Sequence, residues 1–260
     1  MRKLALVTGA SGGLGLEFAR LLAADGYDLA LVARSGPTLD DIADRLRGAH
    51  SVAVATIVQD LAVDGAADAV FARVPRCDVL VNNAGFASNG RFDRLPEDRV
   101  RQELLLDVVT LTALTRKYLP GMVERAGGKV LNVASTAAFL PGPFMAVYYA
   151  AKAYVLSFSE ALAEELRGTG VTVTCLCPGA TATGFADRAE MRDAPLFKLP
   201  AADAAAVAKA GYRGMARGKR VVVPGISNKL VALSPHITPR GLLLKLSRNL
   251  VEQPNKEHRS

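Results

Sequence analysis

The chain has 260 residues, of which 50% are hydrophobic and 22% charged, so it can bury a sizeable core and does not have the composition of a disordered chain. Its apolar runs are far shorter than the roughly 18 residues of a membrane-spanning helix, and its N-terminus lacks a signal-peptide pattern, so we expect a soluble cytoplasmic protein. The formal net charge is +7, and residues 204–251 hold nine Lys or Arg without any Asp or Glu.

Short apolar runs rich in β-branched residues alternate with amphipathic segments along the chain. The runs predict strands at residues 4–7, 29–33, 52–57, 79–82, 129–134, 171–177 and 220–224. Helical spacing of apolar residues predicts helices at 14–25, 38–47, 97–125, 147–167 and 201–215. Strands that are apolar on both faces are typical of a parallel sheet covered by helices. The sequence therefore predicts an α/β fold, a doubly wound (Rossmann) seven-stranded parallel sheet with helices on both faces.

No linker-like segment or repeat divides this pattern. We therefore predict one Rossmann domain over residues 1–225, in which an irregular segment at about 183–200 forms a lid over the substrate. Residues 226–260 are predicted to form a basic, apolar C-terminal extension that packs on the same domain.

The cysteines and histidines form no recognisable metal or redox motif. The chain has three cysteines, Cys77, Cys175 and Cys177, an odd number. The C-x-C spacing of the last two is typical of neither a zinc finger nor a redox pair, so we interpret all three as buried thiols in a reducing compartment. The histidines, at positions 50, 236 and 258, are scattered. We predict no metal site.

A glycine-rich turn, TGASGGLG at residues 8–15, follows the first predicted strand and precedes the first predicted helix. Glycines allow a tight turn and a close approach of the backbone to a ligand, and the free N–H groups of a helix N-terminus attract a pyrophosphate. The turn alone is weak evidence, because a purely structural turn could have the same composition. Its position after the first strand of a long α/β pattern favours a dinucleotide site.

The second predicted strand ends in Arg34 and Ser35, and the first acidic residue after it is Asp40. NAD-binding folds commonly place an acid near this point to bind the ribose 2′-hydroxyl, whereas an arginine accommodates a 2′-phosphate. A guanidinium pairs with a phosphate in a forked geometry, so the sequence favours NADP(H) over NAD(H). A solvent-facing arginine is the structural alternative.

Further motifs follow in a fixed order after the later predicted strands. They are Asp60-Leu61, NNAG at residues 82–85, Ser135, Tyr148 with Lys152 as Y-x-x-x-K, and PGATAT at residues 178–183. Together with the glycine-rich turn, their order and spacing resemble the short-chain dehydrogenase/reductase family, single-domain branch, over nearly the whole chain. The resemblance implies a nicotinamide cofactor and an oxidoreductase activity.

The resemblance also implies a set of cofactor-binding residues along the same edge of the sheet. They are Gly9, Ser11, Gly12, Gly13, Leu14, Gly15, Arg34, Ser35, Asp60, Leu61, Asn83, Ala84, Gly85, Tyr148, Lys152, Pro178, Gly179, Thr181 and Thr183. Among these, Asp60 would lie against the adenine, and Thr181 and Thr183 near the nicotinamide carboxamide and the phosphate.

The predicted catalytic residues are Ser135, Tyr148, Lys152 and Asp107. Tyr148 and Lys152 are four residues apart, so a helix projects both side chains from one face. An ammonium and an oxidised nicotinamide near a phenol lower its pKa from the reference value near 10, which suits Tyr148 to exchange a proton with the substrate oxygen. Ser135 would hydrogen-bond the same oxygen. Tyr149 lacks the four-residue offset from Lys152 and is expected to pack or to line an interface instead.

Asp107 departs from the family pattern, which usually has an Asn at this point in the helix after NNAG. In the resembling enzymes, that Asn helps to hold a water that connects the lysine to solvent. An ionised Asp cannot donate a hydrogen bond, and its charge should raise the pKa of Tyr148. Either Asp107 still positions the water and the enzyme works, or the relay is impaired and turnover is poor.

These observations predict an NADP(H)-dependent oxidoreductase that interconverts a carbonyl and a secondary alcohol. The alternative is an NADP(H)-binding regulatory or scaffold protein with impaired turnover. Loops at 86–92, 136–147 and 183–200 are expected to surround the substrate. The last loop contributes Phe185, Met191, Leu196 and Phe197. One interpretation is that an apolar substrate binds there, either a ketone or alcohol or an acyl thioester. The other is that these side chains pack in a lid or in a subunit contact.

The resemblance implies a homodimer or homotetramer that associates through the helices at 97–125 and 147–167, which light scattering can check. We expect the main partner to be a small-molecule substrate, and we expect no nucleic-acid binding. Membrane association is not the favoured expectation. The basic extension is expected to pack near the substrate entrance or a neighbouring subunit, and three interpretations of its charge stay open. It serves an anionic substrate carrier, it meets an anionic membrane surface, or it is a solvated basic face.

Overall fold

A parallel sheet forms the centre of the computed structural model, which describes residues 2–185, 195 and 201–252. Its strands are β1 (Leu4–Thr8), β2 (Asp28–Ala33), β3 (Val54–Val58), β4 (Val79–Asn82), β5 (Gly128–Val133), β6 (Val171–Leu176) and β7 (Val221–Val222). Their order is β3-β2-β1-β4-β5-β6-β7, and all neighbours pair in parallel. The predicted seven-stranded parallel sheet is confirmed.

Helices cover both faces of this sheet. They are α1 (Gly13–Ala24), α2 (Gly36–His50), α3 (Ala66–Arg73), α4 (Glu97–Leu104), α5 (Leu111–Glu124), α6 (Ala146–Glu165), α7 (Ala204–Ala216), α8 (Ile226–Ile237) and α9 (Arg240–Val251). Short 3₁₀ turns span Phe92–Arg94 and Thr136–Phe139, and a π-helical turn at Leu105–Thr110 joins α4 to α5.

The strands are apolar along their whole length because both faces of the sheet are buried. Successive side chains of a strand point to opposite faces. In β1, Val7 lies in a cluster with Phe18 of α1, whereas Leu6 lies on the other face in a cluster with Leu114 of α5. All four side chains are buried. This two-sided burial explains the continuous apolar runs that predicted the fold.

The motif-bearing segments meet at the carboxyl edge of the sheet. Strand order reverses between β1, which pairs with β2 on one side, and β4 on the other. In open α/β sheets, ligands bind in the crevice outside the carboxyl ends of the strands at such a reversal. The turns that follow β1, β4, β5 and β6 therefore face a common crevice.

A buried chain of amides and hydroxyls lies just below this edge. Asn82 of β4 donates from Nδ2 to Thr115 Oγ1 at 3.0 Å and to Asn132 Oδ1 at 2.9 Å. Asn132 of β5 donates to Ser159 Oγ of α6 at 2.9 Å. These bonds pair amide nitrogens that water cannot reach, and they hold two central strands in register with α5 and α6.

The predicted and observed elements differ in two places that matter for function. The predicted helix at 97–125 contains the π-helical turn, and such turns are frequent at functional sites. The C-terminal extension forms two helices, α8 and α9, and these, like α3, were not predicted. Residues 186–194 and 196–200 of the predicted lid, with Met191, Leu196 and Phe197, lie outside the described residues.

Cys77, Cys175 and Cys177 are free and buried, as predicted. Burial raises the pKa of the Cys77 thiol, which keeps it protonated and unreactive. Within the described ranges, no helix is long and apolar enough to cross a membrane. The same ranges contain no cluster of three or more His, Cys, Asp or Glu that could hold a metal ion.

Candidate active site

The glycine-rich turn after β1 has a conformation that depends on its glycines. Gly9 and Gly13 have φ angles of 65° and 55°, in the region that favours glycine. Gly15 packs against the carbonyl oxygen of Gly9, and a Cβ on Gly15 would lie 2.6 Å from Asn83 Nδ2. A side chain at Gly15 would therefore push α1 away from the turn.

The NNAG segment after β4 holds this turn in place. The backbone nitrogens of Asn83 and Ala84 donate to Thr8 Oγ1 at 2.9 and 3.0 Å. Asn83 also donates from Nδ2 to the carbonyl oxygens of Thr8 and Gly9, at 2.9 and 3.3 Å. The structure thus brings the two predicted motifs together and gives Asn83 a positioning role.

The N-terminus of α1 is open to a ligand. No side chain of the described residues caps its first turn, which leaves the N–H groups of this turn to an anion. Among residues 2–185, 195 and 201–252, no atom lies within 4 Å of a Cβ built on Gly12. Ser11 is exposed at the turn, Leu14 is buried under it, and the side chain of Thr183 lies against Gly13. This open helix end fits the pyrophosphate of a dinucleotide.

Arg34 and Ser35 follow β2 at the same edge and are both exposed. Arg34 makes no hydrogen bond or ion pair within the described part of the chain, so its guanidinium is available to a ligand. The next acidic residue, Asp40, accepts a hydrogen bond from Thr56 at 2.9 Å. Ser35 shares a hydrogen bond with Thr38 at 2.8 Å.

Asp60 and Leu61 lie on the loop after β3. Asp60 is exposed, and its Oδ1 accepts a hydrogen bond from the backbone nitrogen of Ala62 at 2.9 Å. The carbonyl oxygen of Leu61 accepts a hydrogen bond from Thr110 Oγ1 at 2.8 Å. The loop predicted to contact the adenine is therefore tied to the π-helical turn.

The PGATAT segment after β6 closes the crevice on the side of β5. The carbonyl oxygen of Pro178 accepts a hydrogen bond from the backbone nitrogen of Thr136 at 2.8 Å. Gly179 packs against Asn228 of α8, and Thr181 Oγ1 donates to the carbonyl oxygen of Gly179 at 2.9 Å. These contacts place the segment beside the turn that follows Ser135.

Tyr148 and Lys152 lie on the first two turns of α6, and both are buried. The Lys152 Nζ is 5.4 Å from the centre of the Tyr148 ring. Ser135 begins the turn after β5, its Oγ accepts a hydrogen bond from the backbone nitrogen of Ala137 at 3.1 Å, and its proximity to Tyr148 lowers the pKa of that phenol. Tyr149 packs over Gly142, as expected for a residue outside the catalytic set. The structure therefore brings together the three side chains that the sequence predicted.

Asp107, in the π-helical turn, forms a buried ion pair with Lys152. The Lys152 Nζ lies 3.3 Å from Asp107 Oδ2 and donates to the carbonyl oxygen of Val133 at 3.3 Å. A Cβ on Gly85 would lie 2.6 Å from Asp107 Oδ1 and 3.2 Å from Lys152 Nζ. Gly85 is needed to leave room for this pair, which links NNAG directly to the catalytic residues.

The pKa of Tyr148 is raised well above its ordinary value of 10. Burial is the main cause, the negative charge of Asp107 adds to it, and the hydrogen bond with Ser135 acts in the opposite direction. The sequence predicted the effect of Asp107. It also predicted that Lys152 lowers this pKa, but within the protein itself desolvation dominates and keeps the phenol protonated.

Sequence analysis missed one buried carboxyl group at the site, that of Glu103. It lies on α4 one helical turn before Asp107 and is fully buried. The pKa of Glu103 is raised to about 7, mainly by burial and also by the charge of Asp107, while contacts with Ser88 and the charge of Lys152 act in the opposite direction. The spacing E-x-x-x-D within a predicted helix was the signal that could have indicated this pair.

Apolar side chains from distant segments cover Tyr148. Its ring lies 5.4 Å from that of Phe185, and the two belong to a cluster with Met145 and Val251. Asn89 donates from Nδ2 to the carbonyl oxygen of Val251 at 3.3 Å, which ties α9 to the loop after β4. The C-terminal extension therefore packs beside the predicted substrate-binding loops.

The glycine-rich turn at the N-terminus of α1 lies at the same edge of the sheet as the buried pair Tyr148 and Lys152 and as Ser135 after β5. This arrangement defines a Rossmann-fold oxidoreductase that binds a nicotinamide cofactor. Residues 3–193 match the family profile of the short chain dehydrogenases. The chain belongs to this family, whose members act on carbonyl and alcohol groups.

Individual relatives agree with this assignment. The chain is 35% identical over 182 residues to the uncharacterized oxidoreductase YvaG of Bacillus subtilis, covering 70% of this chain and 69% of that one. It is 33% identical over 188 residues to a very-long-chain 3-oxoacyl-CoA reductase of Rattus norvegicus, covering 70% of this chain and 60% of the relative. A short-chain dehydrogenase from Sphingobium yanoikuyae, solved in complex with NADPH, superposes with a TM-score of 0.82 at 32% identity, covering 92% of this chain and 94% of that one.

The free energy of unfolding of the wild-type protein should fall as the pH rises, because Glu103 ionises, and Glu103→Gln should abolish this fall. The pKa of Glu103 is raised from 4.5 to about 7 in the folded protein, so the neutral form stabilises the fold fully below pH 4.5. That contribution, about 3 kcal/mol at 1.36 kcal/mol per pKa unit, is lost as the pH rises through 7. Urea unfolding at pH 5 and pH 8 measures the difference.

The control for this prediction is Glu124→Gln, which changes an exposed glutamate of α5 and should leave the pH dependence as in the wild type. An equal pH dependence in the wild type and in Glu103→Gln would contradict the assignment of the proton to Glu103.

Proposed function

We propose that this protein is an NADP(H)-dependent oxidoreductase that interconverts a carbonyl and a secondary alcohol, with Tyr148 as the acid/base. The observation that carries the proposal is the convergence of Ser135, Tyr148 and Lys152 next to a turn that fits a dinucleotide. The bound nicotinamide supplies or accepts the hydride.

The chain's own residues would handle the proton and the substrate oxygen. Tyr148 donates its phenolic proton to the carbonyl oxygen in reduction, or accepts a proton from the alcohol in oxidation. Ser135 hydrogen-bonds the same oxygen and orients it. Lys152 binds the cofactor ribose and, with Asp107, sets the electrostatic potential at Tyr148. Phe185 and Met145 keep water from the phenol.

An apolar carbonyl substrate, including a 3-oxoacyl thioester, fits this arrangement best. The cluster around Tyr148 is made of aliphatic and aromatic side chains, which favours an apolar chain next to the reacting carbon. One of the relatives is a very-long-chain 3-oxoacyl-CoA reductase. A panel of apolar ketones and 3-oxoacyl-CoA esters is therefore the first choice for an activity assay.

A regulatory NADP(H)-binding protein is the second candidate. The observation that favours it is the raised pKa of Tyr148, to which Asp107 contributes at the position where the family usually has Asn. In that case the protein binds the cofactor but transfers no hydride to any substrate.

Tyr148→Phe should lower kcat by at least about 100-fold, because a positioned acid/base contributes about 10²–10⁴-fold to such reactions. Cofactor affinity should stay close to that of the wild type. The change in NADPH absorbance with the substrate panel measures kcat, and NADPH fluorescence measures binding.

Tyr149→Phe is the matched control and should keep wild-type turnover, since Tyr149 packs over Gly142. Full activity in Tyr148→Phe would rule out the acid/base role. Cofactor binding by the wild type without turnover on any substrate would favour the regulatory candidate.

Arg34→Ala should weaken NADPH binding by about 10- to 100-fold, the loss expected for charge-assisted hydrogen bonds worth about 1.5–3 kcal/mol. NADH affinity should stay nearly unchanged, because NADH lacks the 2′-phosphate. Arg45→Ala is the control, since Arg45 is an exposed arginine of α2 that already pairs with Asp41. An equal loss of affinity for both cofactors would contradict the role of Arg34.

A further inference from the structure

The most exposed large aliphatic side chains of the described residues form one stripe along α8. Ile226, Leu230, Leu233 and Ile237 are 79, 64, 57 and 83% exposed. They follow one another at i, i+4, i+7 and i+11, which places them on a single face of the helix. Scattered exposed aliphatic residues are normal, but a stripe over three helical turns marks an interaction site.

The next helix, α9, has a second stripe of the same kind. Leu242, Leu246 and Leu250 follow at i, i+4 and i+8 and are 49, 51 and 39% exposed. On another side of the helix, Leu243 and Val251 are buried. The buried side anchors α9 to the domain, so its exposed side is held in place without being covered.

The charges on these helices have one sign. Lys229, Arg240 and Lys245 are exposed, and residues 226–251 contain no Asp or Glu. Arg248 pairs with Glu252 at 2.9 Å and lies over the ring of Phe144. The exposed surface of the extension is therefore both apolar and cationic.

We propose that α8 and α9 dock this protein onto an anionic lipid surface. Helices with an apolar face and flanking Lys or Arg lie in the plane of the interface, where the apolar side chains enter the acyl boundary and the cations meet anionic headgroups. This binding mode needs no membrane-spanning helix. It corresponds to one of the three interpretations that the sequence left open for the extension.

A lipid surface fits these helices better than a second copy of the chain. A symmetric contact between two copies would bring their cations together with no acidic residue on either helix between 226 and 251 to balance them. The subunit contact implied by the sequence lies instead on the helices at 97–125 and 147–167. An anionic bilayer supplies the apolar phase and the negative charge at once.

Docking through α9 would also place the active site next to the bilayer. Val251 contacts the cluster around Tyr148, and its carbonyl oxygen accepts a hydrogen bond from Asn89. An apolar substrate could then reach the site from the lipid phase. This consequence rests on the proposed function, whereas the docking itself does not.

Vesicle co-sedimentation of the full chain tests the proposal without an activity assay. We expect binding to vesicles of phosphatidylcholine with about one third phosphatidylglycerol, and at least about tenfold weaker binding to pure phosphatidylcholine. Binding to the anionic vesicles should also weaken when the salt is raised to about 0.5 M. Equal binding to both vesicle types, or no binding to either, would overturn the proposal.

Two variants test the surface itself. The triple variant Leu230→Gln, Leu233→Gln and Ile237→Gln removes most of the α8 stripe, and Lys229→Gln with Lys245→Gln removes two cations. Each should weaken binding to anionic vesicles by about tenfold or more, because insertion and electrostatic attraction both contribute. Circular dichroism checks that the variants fold. If a variant fails to fold, the wild-type measurements at different lipid compositions and salt concentrations still test the proposal.

Matched controls change the same residue types elsewhere on the surface. Val63→Gln with Val123→Gln removes two exposed aliphatic residues, and Lys209→Gln with Lys219→Gln removes two exposed cations outside α8 and α9. Both should bind like the wild type. Equal loss in the controls would overturn the proposal, as would an α8 variant that leaves vesicle binding intact but converts a dimer to a monomer in light scattering.

Discussion

The buried ion pair between Lys152 and Asp107 is the interaction on which the rest of the site depends. A buried ammonium is costly unless a partner compensates its charge, and here the partner comes from the π-helical turn between α4 and α5. That turn is tied to the loop after β3 through Thr110, and Gly85 leaves the space that the pair occupies. The cofactor turn, NNAG and the catalytic helix therefore depend on one another. The pair also has an electrostatic cost, because the charge of Asp107 raises the pKa of Tyr148.

The balance of charge below the crevice explains why a second buried acid is tolerated. Lys152 and Asp107 neutralise each other, so an ionised Glu103 would leave a net negative charge on buried side chains. The raised pKa of Glu103 lets the protein avoid that charge by retaining a proton near neutral pH. Ionisation of Glu103 would raise the pKa of Tyr148 still further, so the charge state of this carboxyl group is coupled to the proposed proton donor. When ionisable side chains are coupled in this way, the pKa values seen in the pH dependence of stability and activity belong to the whole set and not to a single residue.

The parts of the structure that could be predicted from sequence are those with local signals. The strands are continuous apolar runs, and the turn glycines and the Tyr148–Lys152 spacing are short motifs, so the sheet and the convergence of the site were predicted. The π-helical turn has no comparable signature, and α8 and α9 carry apolar residues on exposed as well as buried sides, so neither was predicted. The direction of the Tyr148 pKa shift depends on burial by Phe185 and Val251, which lie far away in sequence. Glu103 was missed because a lone glutamate in an amphipathic helix is usually exposed.

The charge of Asp107 beside Lys152 adds to the burial of Tyr148 in raising the pKa of its phenol. Ultraviolet titration of tyrosinate absorbance at saturating NADP⁺ tests it most directly, because the difference between each protein and its Tyr148→Phe counterpart isolates one of the six tyrosines. We expect a lower pKa of Tyr148 in Asp107→Asn than in the wild type, since the substitution removes a negative charge near the phenol. An unchanged or higher pKa in Asp107→Asn would contradict it.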